Sequence, residues 1–233
     1  VGIPTNGLIW MAPYDEMLQQ VKEKLMAGFR CIKLKIGAID WDEEMRLLEF
    51  IRSRFSPSTL QLRVDANGAF RPDEAMERLN DLARFDIHSI EQPIPQNSWD
   101  DMARLCRMSP VPVALDEELI GHFSLDEKKT LLDTLKPQFI VVKPTLHGGI
   151  TGSIEWVSEA NKRGIASWMT SALESNIGLR NIALLAARVY NISPENIAGV
   201  MPQGLGTGLL YKDNIEMDVE LRGSRLWRCE VDE

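Results

Sequence analysis

Short apolar segments alternate along the chain with longer segments in which apolar residues recur every three or four positions. The short segments are rich in Val, Ile and Leu, which is typical of strands buried in a parallel sheet. The predicted strands are GLIWM (7–11), CIKLKIG (31–37), LQLRVDA (60–66), HSIEQPI (88–94), VPVALDE (111–117), QFIVVKP (138–144) and IASWMTS (165–171), with a weaker eighth at IAGVMP (197–202).

The longer segments carry the signals of amphipathic helices. In residues 40–55, acidic residues crowd the first turn and apolar residues recur at helical spacing, at Met45, Leu48, Ile51 and Phe55. In residues 71–85, Pro72 is placed as a helix starter ahead of a second apolar face. Because helices separate the strands, the pattern predicts βαβ units and a parallel sheet.

Polar residues near the ends of six successive strands recur at a nearly constant step. They are Lys35, Asp65, Glu91, Asp116, Lys143 and Thr170, and their separations are 30, 26, 25, 27 and 27 residues. Such a step holds one strand, one helix and two short loops, and eight steps fill roughly this length. An open doubly wound sheet also alternates, but it concentrates its ligand groups at one switch point. The sequence therefore predicts an α/β fold, a (β/α)8 barrel of the TIM type over residues 1–210.

The strand CIKLKIG carries two lysines on one face. Side chains at positions i and i+2 of a strand point the same way, so Lys33 and Lys35 lie together with Cys31. An edge strand with both ammonium groups in water is the simpler interpretation of this segment alone. The alternative is an interior site in which a desolvated lysine acts as a base.

Three acidic residues, Asp65, Glu91 and Asp116, end three consecutive predicted strands. One such residue alone would be interpreted as a helix cap. Three converging carboxylates repel one another unless a cation lies among them, and buried charges are costly unless paired or bound to a metal. Oxygen ligands suit Mg²⁺, with Mn²⁺ as a substitute. The sequence therefore predicts a magnesium site. Glu117, on the opposite face from Asp116, is expected either to contact the metal ligands without binding the metal or to be structural.

Composition and charge narrow the class of protein. The net charge of −8 is not accompanied by a basic cluster, so nucleic acid is not an expected partner. No apolar run approaches the roughly 20 residues of a membrane span. Cys31, Cys106 and Cys229 lie far apart, which favours reduced thiols in a cytoplasmic protein without a signal peptide. The chain opens at Val1, and we expect it to be part of a longer protein.

The order KxK, Asp, Glu, Asp, Lys on successive strands resembles the enolase superfamily, in its muconate-lactonizing subgroup. Within it, the motifs resemble those of the o-succinylbenzoate synthase family: KLKIG, RVDANGAF, IEQPI, ALDEEL, VVKPTLHGG, TSALESNIGL and QGLGTGLLY. That family places an N-terminal capping domain over the barrel, and no such segment is present in this chain. The resemblance implies that residues 211–233 form a tail that packs on the missing capping domain.

The resemblance also implies the chemistry. Mg²⁺ held by the three carboxylates would stabilise the enediolate that forms when a proton α to a carboxylate is removed. Lys35 is then the base, and Lys33 is the neighbour that lowers its pKa and touches the substrate carboxylate. Lys143 faces Lys35 across the barrel and stabilises the enediolate.

The implied activity is that of a carbon–oxygen lyase of menaquinone biosynthesis. Its reaction is the syn dehydration of 2-succinyl-6-hydroxy-2,4-cyclohexadiene-1-carboxylate to o-succinylbenzoate. Arg63 and Asn67 are expected at the edge of the site. Thr170, Ser171 and the segment GLGTG (204–208) are expected to hold the succinyl tail, although such segments are often only turns or helix caps.

Other functions stay open. N-acylamino-acid racemases and dipeptide epimerases of the superfamily use the same two lysines, one on each face of the α-carbon. Dipeptide epimerases usually carry an Asp-x-Asp pair after strand eight, where GLGTG has none. A hypothesis of another class is an inactive barrel that serves as a binding scaffold, and the complete set of metal and base positions argues against it.

Overall fold

The computed structural model describes residues 1–207 and 211–228. A short strand β1 (Ile3–Pro4) is followed by seven parallel strands that form a curled sheet in chain order. These are β2 (Gly7–Ile9), β3 (Cys31–Lys35), β4 (Gln61–Asp65), β5 (Ser89–Glu91), β6 (Val113–Leu115), β7 (Phe139–Val142) and β8 (Ala166–Met169). The seven predicted strands and their parallel arrangement are confirmed.

The prediction of an eighth strand at residues 197–202 is wrong. Ile197–Gly199 forms a single 3₁₀ turn, and the following Pro202 cannot donate a ladder hydrogen bond. Gln203 and Gly204 instead make single bridges, the first to Thr5 and the second to Thr170. Among the described residues the sheet of regular strands is therefore not closed, and these two bridges join its first and last edges.

A helix follows each strand of the curled sheet. The helices are α1 (Tyr14–Met26), α2 (Trp41–Arg52), α3 (Ala75–Ala83), α4 (Trp99–Met108), α5 (Leu125–Leu135), α6 (Gly149–Lys162) and α7 (Asn176–Val189). Asp40 caps α2 by accepting the N–H of Asp42, and Ser124 and Glu127 form a capping box on α5. Pro72 lies in a turn ahead of α3 rather than in its first turn, so that predicted boundary is shifted.

The main core lies between the sheet and its helices. Met45 and Ile51 of α2 and Leu79 of α3 are buried there, as their helical spacing predicts. A smaller apolar cluster of Val141, Trp168 and their neighbours fills the concave side of the sheet. No helix within the described ranges is long and apolar enough to cross a bilayer.

The segment after residue 210 forms a hairpin of β9 (Val219–Arg222) and β10 (Arg225–Arg228). Strand β10 pairs antiparallel with β1, which gives a three-stranded sheet apart from the curled one. The two ends of the described chain therefore pack on each other. Packing of this tail on a capping domain stays a prediction, and residues 229–233, with Cys229, lie outside the described ranges.

Candidate active site

The register of the parallel strands brings the predicted residues to one edge of the sheet. Lys35 at the end of β3 pairs with Asp65 at the end of β4, and Asp65 pairs with Glu91 at the end of β5. Asp116 directly follows β6, and Lys143 directly follows β7. These are the carboxyl ends of the strands, where enzymes with related barrels hold their reacting groups.

The three carboxylates converge. Asp65, Glu91 and Asp116 are completely buried, and one oxygen of each lies within 4.8 Å of the others. We call them the carboxylate cluster. Glu91 Oε1 and Asp116 Oδ1 have no hydrogen-bond partner in the described part of the chain. Buried carboxylate oxygens that accept no hydrogen bond are suitable ligands for a hard divalent cation such as Mg²⁺.

Three lysines face the carboxylate cluster. Lys33 Nζ lies 2.6 Å from Glu91 Oε2 and 2.9 Å from Asp65 Oδ2. Lys35 Nζ also lies 2.6 Å from Asp65 Oδ2, and Lys143 Nζ lies 2.6 Å from Asp116 Oδ2. Each of the three carboxylates therefore has a lysine nitrogen within ion-pair distance, which offsets the cost of burying its charge.

Burial and pairing act in opposite directions on these groups. Burial alone would lower the pKa of Lys33, but the facing carboxylates of Asp65 and Glu91 together raise that pKa. Burial likewise disfavours the charged form of Lys143, but Asp116 and Glu117 raise its pKa above the ordinary value. Both side chains are therefore ammonium ions at neutral pH in this arrangement.

Asn67 and Glu117 lie beside the lysines. Lys35 Nζ donates to Asn67 Oδ1 at 2.7 Å, and Asn67 Nδ2 donates to Glu117 Oε1 at 2.9 Å. The expectation that Glu117 points away from the site is wrong, because β6 ends at Leu115 and a 3₁₀ turn begins at Glu117. Strand alternation no longer applies there.

A cavity of about 270 Å³ opens above the lysines. Thr170 and Ser171 line it, together with Gly204, Gly206 and Thr207 of the glycine-rich segment, whose last residue lies outside the described ranges. Ser171 Oγ and Thr207 Oγ1 are 2.6 Å apart. The two predicted hydroxyl residues therefore face the same space as the lysines, and their contact with substrate stays a prediction.

The start of the chain forms a wall of the cavity that is not among the predicted site residues. Asn6, Leu8 and Trp10 line the cavity at β2, and Leu146 and Leu173 line it further along. The sequence carries a signal that points to Asn6, Leu8 and Trp10. The constant step of 25 to 30 residues, counted back from Lys35, reaches this segment.

Arg63 lies below the cavity rather than at its edge. It is completely buried on β4, in register with Lys33, and is not among the residues that line the cavity. Its Nη1 donates to the carbonyl oxygen of Pro202 at 2.9 Å, and its guanidinium group stacks over the Trp168 ring at 4.0 Å. This position does not favour the expected contact with substrate.

His147 supports the position of Lys143. The histidine is completely buried, and its Nδ1 accepts the backbone N–H of Lys143 at 2.9 Å. Burial, with the charges of Lys143 and Lys128, lowers the pKa of His147 to about 3. The ring is therefore neutral and fixes the backbone where β7 ends.

A curled parallel sheet with KxK, three carboxylates and an opposed lysine at the ends of its strands defines a class of protein. The chain belongs to the Enolase C-terminal domain-like family, whose model matches residues 16–225. It is therefore a member of the enolase superfamily, as the sequence motifs predict.

Particular relatives are more informative. The chain is 50% identical over 224 residues to an o-succinylbenzoate synthase from Desulfotalea psychrophila, covering 96% of this chain and 58% of the relative. The crystal structure of MenC from the same organism matches with a TM-score of 0.87 and 48% identity, over 97% of this chain and 60% of that one. An N-succinylamino acid racemase from Thermus thermophilus is 32% identical over 193 residues, 82% of this chain and 47% of the relative. The chain thus spans about half to three fifths of the length of these proteins.

Proposed function

We propose that the complete protein containing this chain is an o-succinylbenzoate synthase, a lyase of menaquinone biosynthesis. The observation that carries the proposal is the 50% identity to a synthase over nearly the whole chain. The arrangement of two lysines beside a buried carboxylate cluster supports it, because proton removal α to a carboxylate needs a base and nearby positive charge.

In this proposal the carboxylate cluster holds Mg²⁺, which supplies positive charge for the enediolate form of the substrate. Neutral Lys35 takes the proton from the ring carbon that bears the carboxylate. The resulting ammonium gives that proton to the departing hydroxyl group, so that water leaves and the ring becomes aromatic. Both transfers occur on one side of the ring, which is the meaning of a syn dehydration.

Lys143 keeps its proton and faces the other side of the ring. The raised pKa of Lys143 supports this role, since the cation persists at neutral pH. Lys33 contributes a second fixed cation beside the base. Thr170 and Ser171 would contact the succinyl tail from the cavity wall.

We further propose that the curled sheet closes as a (β/α)8 barrel, with the bridges at Gln203 and Gly204 in place of a regular eighth strand. A domain encoded outside this chain would cap the cavity, in keeping with the greater length of the relatives. The substrate would be a small carboxylate, and the protein would act in the cytoplasm without nucleic acid or membrane partners.

Racemisation of N-succinylamino acids is a second candidate, favoured by the 32% identical racemase and by the two opposed lysines. The deciding experiment assays the complete protein with both substrate classes. Formation of o-succinylbenzoate is followed by ultraviolet absorbance, and α-deuterium uptake by N-succinylamino acids is followed by NMR in D₂O. Racemisation without any dehydration would refute the synthase proposal.

A further inference from the structure

A chain of polar contacts that avoids the carboxylate cluster connects the two opposed lysines. Lys35 Nζ donates to Asn67 Oδ1 at 2.7 Å, and Asn67 Nδ2 donates to Glu117 Oε1 at 2.9 Å. The same Glu117 Oε1 lies 3.8 Å from Lys143 Nζ. We call these four residues the lysine bridge.

Chemistry fixes the direction of each contact in the lysine bridge. Lys35 Nζ carries N–H donors in either protonation state, so it faces the carbonyl oxygen of the Asn67 amide. An ionised carboxylate can only accept, so Glu117 must face the NH₂ group of that amide. An asparagine between a lysine and a carboxylate satisfies both requirements at once. A leucine or an aspartate of similar size would leave at least one neighbour without a suitable partner.

The backbone conformation and a backbone hydrogen bond hold Asn67 in its position between Lys35 and Glu117. Its φ of 45° is in the left-handed region, where asparagine is one of the tolerated residues. The backbone N–H of Asn67 donates to Asp65 Oδ1 at 3.0 Å. This hydrogen bond fixes the main chain from which the Asn67 amide extends.

Within the lysine bridge, Glu117 has no role in the proposed reaction and does not belong to the carboxylate cluster. Its side chain is 25% exposed, yet its Oε2 is buried and has no hydrogen-bond partner in the described part of the chain. Its neighbour Asp116 and the partner of Lys35, Asp65, belong to the proposed metal site, so their oxygens have another use. The oxygens of Asn67 and Glu117 stay available to the lysines.

We propose that Glu117 is a positioning residue that holds Lys35 and Lys143 where the reaction needs them. This proposal rests on the proposed function. Glu117 acts on Lys35 through Asn67 and on Lys143 directly. Long lysine side chains lose much rotamer freedom when they are fixed, so both need contacts that do not depend on substrate. A displacement of about 1 Å in a reacting group can lower the rate about 10²-fold.

The test uses the complete protein and measures kcat and KM for the dehydration. Glu117→Ala is expected to lower kcat about 10- to 100-fold with KM changed less than about threefold, because the lysines and not the substrate are displaced. Glu117→Gln keeps an oxygen that accepts from Asn67 and is expected to recover about tenfold or more of that loss. Asp101→Ala removes a surface carboxylate that pairs with Arg104 and serves as the matched control, with kcat unchanged.

A double-mutant cycle tests whether the bridge acts as a unit. Asn67→Gly removes the amide without straining the left-handed backbone. The combined variant with Glu117→Ala should lose about as much rate as the worse single variant, since both break the same connection. Losses that multiply, or a kcat for Glu117→Ala equal to wild type, would overturn the proposal. So would a glutamine variant no more active than the alanine variant.

A measurement without substrate separates this proposal from the proposed function. The side-chain NH₂ resonances of Asn67 are assigned by their loss in Asn67→Gly. They should shift and exchange faster with solvent in Glu117→Ala, and stay unchanged in Asp101→Ala. Unchanged resonances in Glu117→Ala overturn the bridge even if the protein is a synthase. If Glu117→Ala does not fold, Glu117→Gln is measured instead, and a small amide shift with retained protection is expected. Shifted resonances in a protein without dehydratase activity support the bridge and refute only the function.

Discussion

Gly204 holds one of the two single bridges that join the edges of the curled sheet, and adding one methyl group there should weaken that junction. Its N–H donates to the Met169 carbonyl oxygen at 2.8 Å, and its carbonyl oxygen accepts the Ser171 N–H at 3.1 Å. A Cβ at this position would lie 2.1 Å from Thr170 Oγ1 and 2.6 Å from Thr170 Cβ. Contacts this short cannot be relieved by a rotamer change alone, because Thr170 Cβ is fixed by its backbone.

The expected cost of Gly204→Ala follows from this overlap. Overpacking typically costs about 1–3 kcal/mol, and each distorted bridge hydrogen bond adds about 1 kcal/mol. The free energy of unfolding should therefore fall by about 2–5 kcal/mol. At about 2–4 °C per kcal/mol for a domain of this size, the melting midpoint should fall by about 4–20 °C.

The assay is urea and thermal unfolding of the complete protein. Gly199→Ala is the matched control, since no described atom lies within 4 Å of its added Cβ, and its stability should change by less than about 0.5 kcal/mol. Thr170→Ala removes the nearest atom and should restore part of the loss in the double variant. Equal midpoints for the two glycine variants, or strictly additive effects of Gly204→Ala and Thr170→Ala, would refute the reasoning.

Three further outcomes are expected. Chelation of divalent ions should abolish turnover, and full activity after exhaustive removal of these ions would rule out the metal proposal. Lys35→Ala should lower kcat by several orders of magnitude, whereas Lys143→Arg should keep measurable dehydration but no stereoinversion. Dehydration is measured by absorbance and stereoinversion by α-deuterium uptake. Substantial dehydration by Lys35→Ala with none by Lys143→Arg would exchange the two roles. Burial raises the pKa of Glu44 to about 7, so between about pH 4.5 and 7 the folded protein retains a proton that the unfolded chain releases. Stability should fall as pH rises through this window in wild type but less in Glu44→Gln, and parallel urea profiles would contradict this.

The strand ends of the site could be predicted because period and step length are local properties of the sequence. Alternation places Asp65 on the same face of its strand as Arg63, and the step of 25 to 30 residues brings six strand ends to one edge. Alternation does not, however, show whether a side chain reaches the cavity. Arg63 shares the face of Asp65, but its guanidinium group turns to the Pro202 carbonyl oxygen and the Trp168 ring. Lys33, in register with Arg63, does reach the site.

The missed features arise where regular structure ends. Glu117 lies in a 3₁₀ turn, so its direction could not follow from the alternation of β6. The expected eighth strand is reduced to two bridges, because Pro202 interrupts its ladder and Gly204 approaches Thr170 too closely for a side chain. The turn at Glu117 and the effect of Pro202 are local, whereas the close approach of Gly204 to Thr170 joins segments far apart in sequence, which periodicity does not encode.

The two opposed lysines have nearly equivalent surroundings, so the lysines alone do not distinguish the two candidate reactions. Lys35 and Lys143 each lie 2.6 Å from one aspartate, and their side chains are 14% and 15% exposed. A one-base dehydration and a two-base racemisation could therefore use the same catalytic groups. The proposed reactions differ in the leaving group, since the proposed dehydration loses the proton and the hydroxyl on the side of Lys35. We predict that the cavity wall, including Thr170 and Ser171, orients the substrate. On this prediction the choice between the two reactions depends on how the substrate tail is held, and not on the identity of the lysines.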